Sequence, residues 1–184
     1  MRKITAGFFA SLDGVVEAPE RWHFPYLNEE MGMALGAQIA AADTMLLGRS
    51  TYEEFAAHWA DQGSEVPFAD QINSTPKYVV SSTLESVEWR NSTVLRGGEG
   101  LAADIAALKR QPGRDISVTG SITLVRWLLG NGLLDELSLM VHPVVLGDGR
   151  RLFEDERAQK HELTLVESAT FRTGVAHLTY RLAK

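Results

Sequence analysis

Thr44-Met45-Leu46-Leu47-Gly48-Arg49-Ser50-Thr51-Tyr52-Glu53-Glu54 changes character at its middle. The first four residues make a short strand, and Gly48 closes it. Beyond the glycine the spacing turns helical. Ser50 with Glu53, or Thr51 with Glu54, has the separation of a capping box, which predicts a helix start at this point. A buried strand running directly into a helix is the opening of a βαβ unit, and that unit implies parallel strands.

The same alternation extends in both directions. Upstream, residues 2–9 read as a first strand ended by Ser11-Leu12-Asp13-Gly14. A long irregular stretch follows from Val15 to Leu27, and a loop of that length in a compact domain is usually functional or disordered. Asn28 caps a helix with Glu29 and Glu30 in its first turn and Met31, Leu35 and Ile39 along one face. Downstream, residues 77–81 and 92–95 read as strands. Gly97-Gly98 leads into a helix carrying Leu101, Ile105 and Leu108 on one side. Residues 116–119 form a fifth strand ending at Gly120-Ser121, and the helix after it stops at Gly130, read as its C-cap. From Asp135 the helices cease: residues 136–145, 161–171 and 175–182 read as strands, the last two joined by the hairpin turn Arg172-Thr173-Gly174. The expectation is one α/β domain over residues 1–184, with a mostly parallel central sheet, antiparallel strands at its C-terminal edge and flanking helices.

Composition narrows the function. The 184 residues carry a formal net charge of −6, without the broad basic footprint that nucleic-acid binding demands. There is no cysteine, so thiolate chemistry and thiolate metal sites are excluded. Five scattered histidines show no metal-ligand spacing, and no metal site is expected. No apolar run is long enough for a membrane span. The opening residues are broken by Thr5, Gly7, Ser11 and Asp13 and read as a strand rather than a signal peptide, which gives a cytoplasmic expectation.

Four junctions at strand ends share one chemistry: Gly48-Arg49-Ser50-Thr51, Ser81-Ser82-Thr83, Arg96-Gly97-Gly98 and Thr119-Gly120-Ser121-Ile122. Each offers small residues, hydroxyls or free backbone N–H groups, all read at strand-to-helix turns, where the helix dipole favours anions. Taken singly, each is more often a cap or a turn than a site. Their recurrence at successive strand ends is what points to a phosphate-bearing ligand.

In their order these blocks resemble the dihydrofolate reductases, and more closely the reductase domain of bacterial riboflavin biosynthesis with its stand-alone relatives. Ser11-Leu12-Asp13-Gly14, Gly132-Leu133-Leu134-Asp135-Glu136-Leu137 and His142-Pro143-Val144-Val145-Leu146-Gly147 are similar to that branch. The resemblance implies the three-layer dihydrofolate-reductase-like fold, NADPH as cofactor, a small-molecule substrate and a homodimer. It places Arg49, Ser50 and Thr51 on cofactor phosphates, with Arg49 favouring the 2′-phosphate of NADPH over NADH through guanidinium pairing. Ser81 and Ser82 would lie near the adenosine 2′-phosphate, Gly120 and Ser121 at the pyrophosphate, and Gly97 at the adenine end. The exit of the first strand, including Asp13, would border the nicotinamide, with Asp13 the candidate proton donor and Glu17 in reserve.

Two departures matter. Folate reducers place a carboxylate within the first helix, yet residues 31–42 contain neither Asp nor Glu. The fused riboflavin enzymes carry a zinc deaminase domain, and no His/Cys motif for one is present. The leading expectation is therefore an NADPH-dependent reductase of a pteridine- or ribosylaminopyrimidine-like, imine or carbonyl substrate. A non-catalytic nucleotide- or pterin-binding protein on the same fold is the alternative, and an FMN protein the third reading. Trp22, Phe24 and Tyr26 would either stack on a flat ring or anchor their loop, and His142 reads as a packed strand-end residue.

Overall fold

The structure is a computed structural model and describes residues 1–154 and 160–183. Eight strands form one sheet in the order β4-β3-β2-β5-β1-β6-β8-β7. They are β1 (Ile4–Ser11), β2 (Ala42–Gly48), β3 (Lys77–Ser81), β4 (Ser92–Arg96), β5 (Asp115–Thr119), β6 (Glu136–His142), β7 (Leu163–Thr170) and β8 (Ala176–Leu182). Strands β1 to β6 are mutually parallel, β8 is antiparallel to β6, and β7 pairs antiparallel with β8 at the edge. The helices are α1 (Glu29–Ala41), α2 (Arg49–Trp59), α3 (Ala69–Ser74), α4 (Leu101–Arg110) and α5 (Ile122–Gly130).

The two faces of the sheet are built differently. On one, Ile4, Ala6, Phe8, Leu46, Ile116, Val118 and Leu137 make a continuous apolar layer beneath Leu101, Ile105 and Leu108 of α4 and Val125 and Leu128 of α5. Burial of that layer, at about 25 cal/mol per Å² of apolar surface, is the main attraction holding the sheet to its helices. On the other face the core divides. Met45, Leu47 and Val79 pack with Tyr52 of α2 and Ile72 of α3, whereas Met31 of α1 packs with Met140, Phe171 and Phe9. Between these clusters the central strands present Thr5 and Gly7 from β1, Ser117 and Thr119 from β5, and Ser138 from β6. Register keeps them in rows: Gly7 lies between Thr119 and Ser138, and Thr5 between Ser117 and Glu136. Central parallel strands are usually apolar on both faces. Here small and hydroxyl-bearing residues replace that second face, and a cleft opens above them.

Local signals account for some element ends. Asn28 caps α1 by accepting a hydrogen bond from the Met31 N–H at 3.0 Å. The hairpin turn sits where its glycine requires, with Gly174 at φ +84°. Three expectations need correction. α2 begins at Arg49 with Gly48 at its N-cap, and no side chain caps it, so neither capping box forms. Gly130 is the last residue of α5; Asn131 is the C-cap, and Gly132 takes the left-handed conformation at φ +64°. The chain passes from β3 to β4 without a helix, so Ser81-Ser82-Thr83 is a strand-to-loop junction.

Candidate active site

β2 and β5 are neighbours, but the chain leaves them in opposite directions, toward β3 on one side and toward β6 on the other. Such a switch point leaves a crevice beyond the carboxyl ends of the strands. Gly48-Arg49-Ser50-Thr51 and Gly120-Ser121 meet there. Ser121, left-handed at φ +59°, accepts a hydrogen bond from the Gly48 N–H at 2.8 Å and donates to Thr51 Oγ1 at 2.8 Å. Thr51 is therefore held by Ser121 rather than turned back as a cap. Gly120 has φ +67°, and a Cβ there would come within 3.4 Å of the Thr51 side chain. Neither α2 nor α5 has a side-chain cap, so two helix N-termini stand side by side with backbone N–H groups free for an anion.

These residues border a cleft of about 1570 Å³, which runs from the β2–β5 corner across β1 toward β6 and β8 and is walled by α1, α2 and the 15–27 loop. Arg49 and Ser50 line it from the first turn of α2. The Arg49 guanidinium reaches along the rim and donates to Thr83 Oγ1 at 3.2 Å. Ser81, Ser82 and Gly97 stand farther along the same rim, outside the residues lining the cleft. The Ser81 hydroxyl accepts from the N–H groups of Thr83 at 3.2 Å and Leu84 at 3.0 Å, and Gly97 N–H donates to the Ser81 carbonyl at 3.1 Å. Ser81 thus turns its own chain, while Ser82 remains exposed.

Asp13 is engaged by its own loop and by the loop after β6. Its carboxylate accepts hydrogen bonds from Ser11 Oγ at 2.6 Å, Gly147 N–H at 2.9 Å and Leu146 N–H at 3.1 Å, and Arg151 lies 3.5 Å away. These bonds, led by Ser11, hold the group ionised far below the usual carboxylate range. Asp13 is absent from the cleft lining, and its carboxylate clamps the loop after β6. Glu17 lines the cleft but pairs with Arg150 at 2.6 Å, which likewise holds its carboxyl low. Of the loop aromatics, Trp22 and Tyr26 pack edge-on against His142, while Phe24 is exposed. His142 is fully buried, with Nδ1 2.8 Å from the Met140 carbonyl, and burial pushes its pKa down.

Sequence reasoning missed a polar cluster at the other end of the cleft. Gln38 of α1, Ser138 of β6 and His177 of β8 all line it. Gln38 Nε2 donates to Ser138 Oγ at 2.8 Å and lies 3.2 Å from His177 Nε2, which is also 2.8 Å from Ser138 Oγ. A usable signal existed: Gln38 stands seven residues after Met31 and three after Leu35, a polar side chain in the inward stripe of α1. Among the described residues no group of three or more His, Asp or Glu side chains would hold a metal ion, and no helix is long and apolar enough to cross a membrane.

The parallel sheet with its antiparallel edge, the flanking helices and the switch-point cleft define a dihydrofolate-reductase-like α/β protein. Solved structures agree on the fold. A dihydrofolate reductase from Enterococcus faecalis, complexed with NADP(H), superposes with a TM-score of 0.64 at 15% identity, over 99% of this chain and 97% of that one. A candidate riboflavin biosynthesis protein from Shewanella sp. PV-4 superposes with a TM-score of 0.78 at 21% identity, over 99% of both chains. An uncharacterized protein of Bacillus subtilis, YyaP, is 29% identical over 182 residues, covering 97% of this chain and 94% of that one. The model of the RibD C-terminal domain matches residues 2–177, and the chain belongs to that reductase-like family.

Proposed function

We propose that this protein is an NADPH-dependent reductase that delivers hydride to a small heterocyclic substrate or to an imine or carbonyl. The observation that carries this reading is the β2–β5 corner, where two uncapped helix N-termini, Gly120 and the Ser121–Gly48–Thr51 hydrogen bonds face one cleft. The fit to a dinucleotide is physical. Backbone N–H groups and the positive helix ends suit a pyrophosphate, and a side chain at Gly120 would meet Thr51. Ser50, Thr51, Gly120 and Ser121 would hold the pyrophosphate, chiefly through their backbone N–H groups, and Arg49 would meet the 2′-phosphate, with Ser81, Ser82 and Gly97 toward the adenosine end. When bound, the cofactor supplies the hydride. The chain's own work is to orient both ligands across Gly7 and to keep water out beneath α1 and the 15–27 loop. In this reading the Asp13 carboxylate, held by Ser11, Leu146 and Gly147 outside the cleft lining, is not the donor, and the proton comes from solvent.

Titration of NADPH and NADH against the protein and its Arg49→Ala variant tests the assignment. NADPH should bind more tightly than NADH, and the variant should lose most of that preference. No NADPH binding, or a preference untouched by the substitution, refutes it. The same reading includes a homodimer. β7 is a sheet edge whose side chains are almost all exposed, Leu165 and Val166 among them, and such edges are commonly covered by a partner. A monomer mass by light scattering at micromolar concentration would exclude it.

A further inference from the structure

We propose that residues 18–27 form a strap along the cleft, latched by His23 against Phe9 and His142, and that acid releases this latch while the rest of the fold holds. The device belongs to the apo protein and does not depend on which ligand the cleft takes.

The strap is tied at both ends but not between them. Before it, the Val16 N–H donates to the Arg150 carbonyl at 3.0 Å and Glu17 pairs with Arg150 at 2.6 Å. After it, Asn28 caps α1. Among the described residues, the hydrogen bonds and ion pairs of residues 18–27 all close within residues 17–27, as in Trp22 Nε1 donating to the Glu17 carbonyl at 3.1 Å. Ring packing is what holds the strap to the sheet. His23 is the one buried residue of residues 18–27. Its imidazole stacks on Phe9 of β1 with centroids 4.4 Å apart, while Trp22 and Tyr26 sit edge-on to His142 of β6 at 5.1 and 5.4 Å. Ala18, Pro19, Glu20, Arg21, His23 and Phe24 line the cleft, so lifting the strap widens it.

An apolar ring at position 23 would stack without any polar atom to satisfy. Histidine carries a cost there, because its Nδ1 is buried with no hydrogen-bond partner among the described residues. His142 repeats the pattern. Its Nδ1 lies 2.8 Å from the Met140 carbonyl, and a carbonyl only accepts, so the neutral ring carries its proton on Nδ1. A second proton has to enter at Nε2, which is buried and has no acceptor among the described residues. Either imidazolium would leave an N–H unpaired inside the aromatic cluster. Two would also repel each other across 6.2 Å between ring centroids.

The surroundings set the sign. Burial leads and pushes both rings below the ordinary imidazole range; His142 acts in the same direction on His23, and Glu20 of the strap acts against it. Arg21 is exposed and lies 3.8 Å from Glu20. β1 brings Phe9 and the Ala10 carbonyl, 3.3 Å from His142 Nδ1, while α1 and the β7–β8 turn bring the uncharged Met31 and Phe171 to the same cluster. Once the strap lifts, both rings meet water and titrate near pH ~6.5. Closure is complete above that pH and weakens below it, by about tenfold per pH unit for each histidine that the closed state keeps neutral.

Hydrogen–deuterium exchange of the apo protein at pH 7.5 and pH 5.5, corrected for the intrinsic amide rate, reads the opening. Between these values protection of residues 18–27 should fall by about tenfold if one histidine is refused its proton and about a hundredfold if both are, with α4 and α5 still protected. His23→Phe keeps a ring on Phe9 without the titrating group, and should remove about tenfold of that fall. His23→Ala should leave the strap open at pH 7.5. Strap protection that does not change with pH overturns the proposal, as does a fall that His23→Phe leaves intact. An equal loss of protection in α4 and α5 also overturns it, because acid then unfolds the whole domain and the strap is no separate device.

Discussion

Ser121→Ala removes one side-chain oxygen that joins two strand ends and a helix. The Gly48 N–H loses its acceptor at 2.8 Å and Thr51 Oγ1 loses its donor at 2.8 Å, while the backbone stays left-handed at φ +59°. Each hydrogen bond contributes a net ~0.5–1.5 kcal/mol, so the variant should be less stable by about 1–3 kcal/mol. For a chain of this size each kcal/mol moves the melting temperature by roughly 2–4 °C. Ser121→Gly removes the same bonds but relieves the left-handed strain, which costs a residue with a Cβ about 1–2 kcal/mol. The glycine variant should therefore recover about 1 kcal/mol relative to alanine, after the greater flexibility of the unfolded glycine chain is offset. Cofactor affinity should not recover with it, because the Gly48–Thr51 turn has lost its tether in both. Urea denaturation followed by tryptophan fluorescence, with NADPH titrations on the same samples, reads both quantities. An alanine variant as stable as wild type with unchanged NADPH affinity would refute the role given to this corner.

Three further outcomes follow from other parts of the molecule. His23, His142 and His177 all have pKa values pushed down by burial, so below about pH 6.5 the unfolded chain takes up protons that the native state refuses. Stability should be full above that pH and fall on acidification by up to ~1.4 kcal/mol per pH unit per histidine, with a shallower fall for His142→Phe in melts at pH 7, 6 and 5. Asp13→Asn should lower the melting temperature and expose residues 146–151 to proteolysis while NADPH affinity stays within about twofold; an effect on turnover alone would restore Asp13 as a proton donor. Gly7→Val should leave the α4–α5 face of the sheet intact and fill the strip beneath Gln38, abolishing heterocycle binding at unchanged far-ultraviolet dichroism; undiminished binding would place the acceptor elsewhere.

Part of the candidate site is legible in the chain because its chemistry is local. Gly120 needs its glycine for a positive φ and for contact with Thr51, and the Gly-Ser pair between a strand and a helix carries that requirement in the chain itself. Arg49 and Ser50 line the cleft even though the capping box beside them does not form: Thr51 pairs with a serine 70 residues away instead of capping its own helix end. Asp13 was open to two readings for the same kind of reason. An Asp-Gly pair after a central strand is compatible with a catalytic acid or with a turn clamp, and only the arrival of Leu146 and Gly147 shows which atoms use its oxygens.

What the chain determined unaided was the alternation of strands and helices, the antiparallel finish and the positions of the turn-forming glycines. These depend on periodicity and backbone sterics within a few residues. Strand order was decided only in three dimensions. The insertion of β5 between β1 and β2 creates the switch-point crevice, and it brings Gly48 to Ser121. The Gln38–Ser138–His177 cluster is likewise tertiary, joining residues up to 139 positions apart on three elements. Its members are single polar side chains with no spacing rule between them, and packing across the sheet is what makes them neighbours.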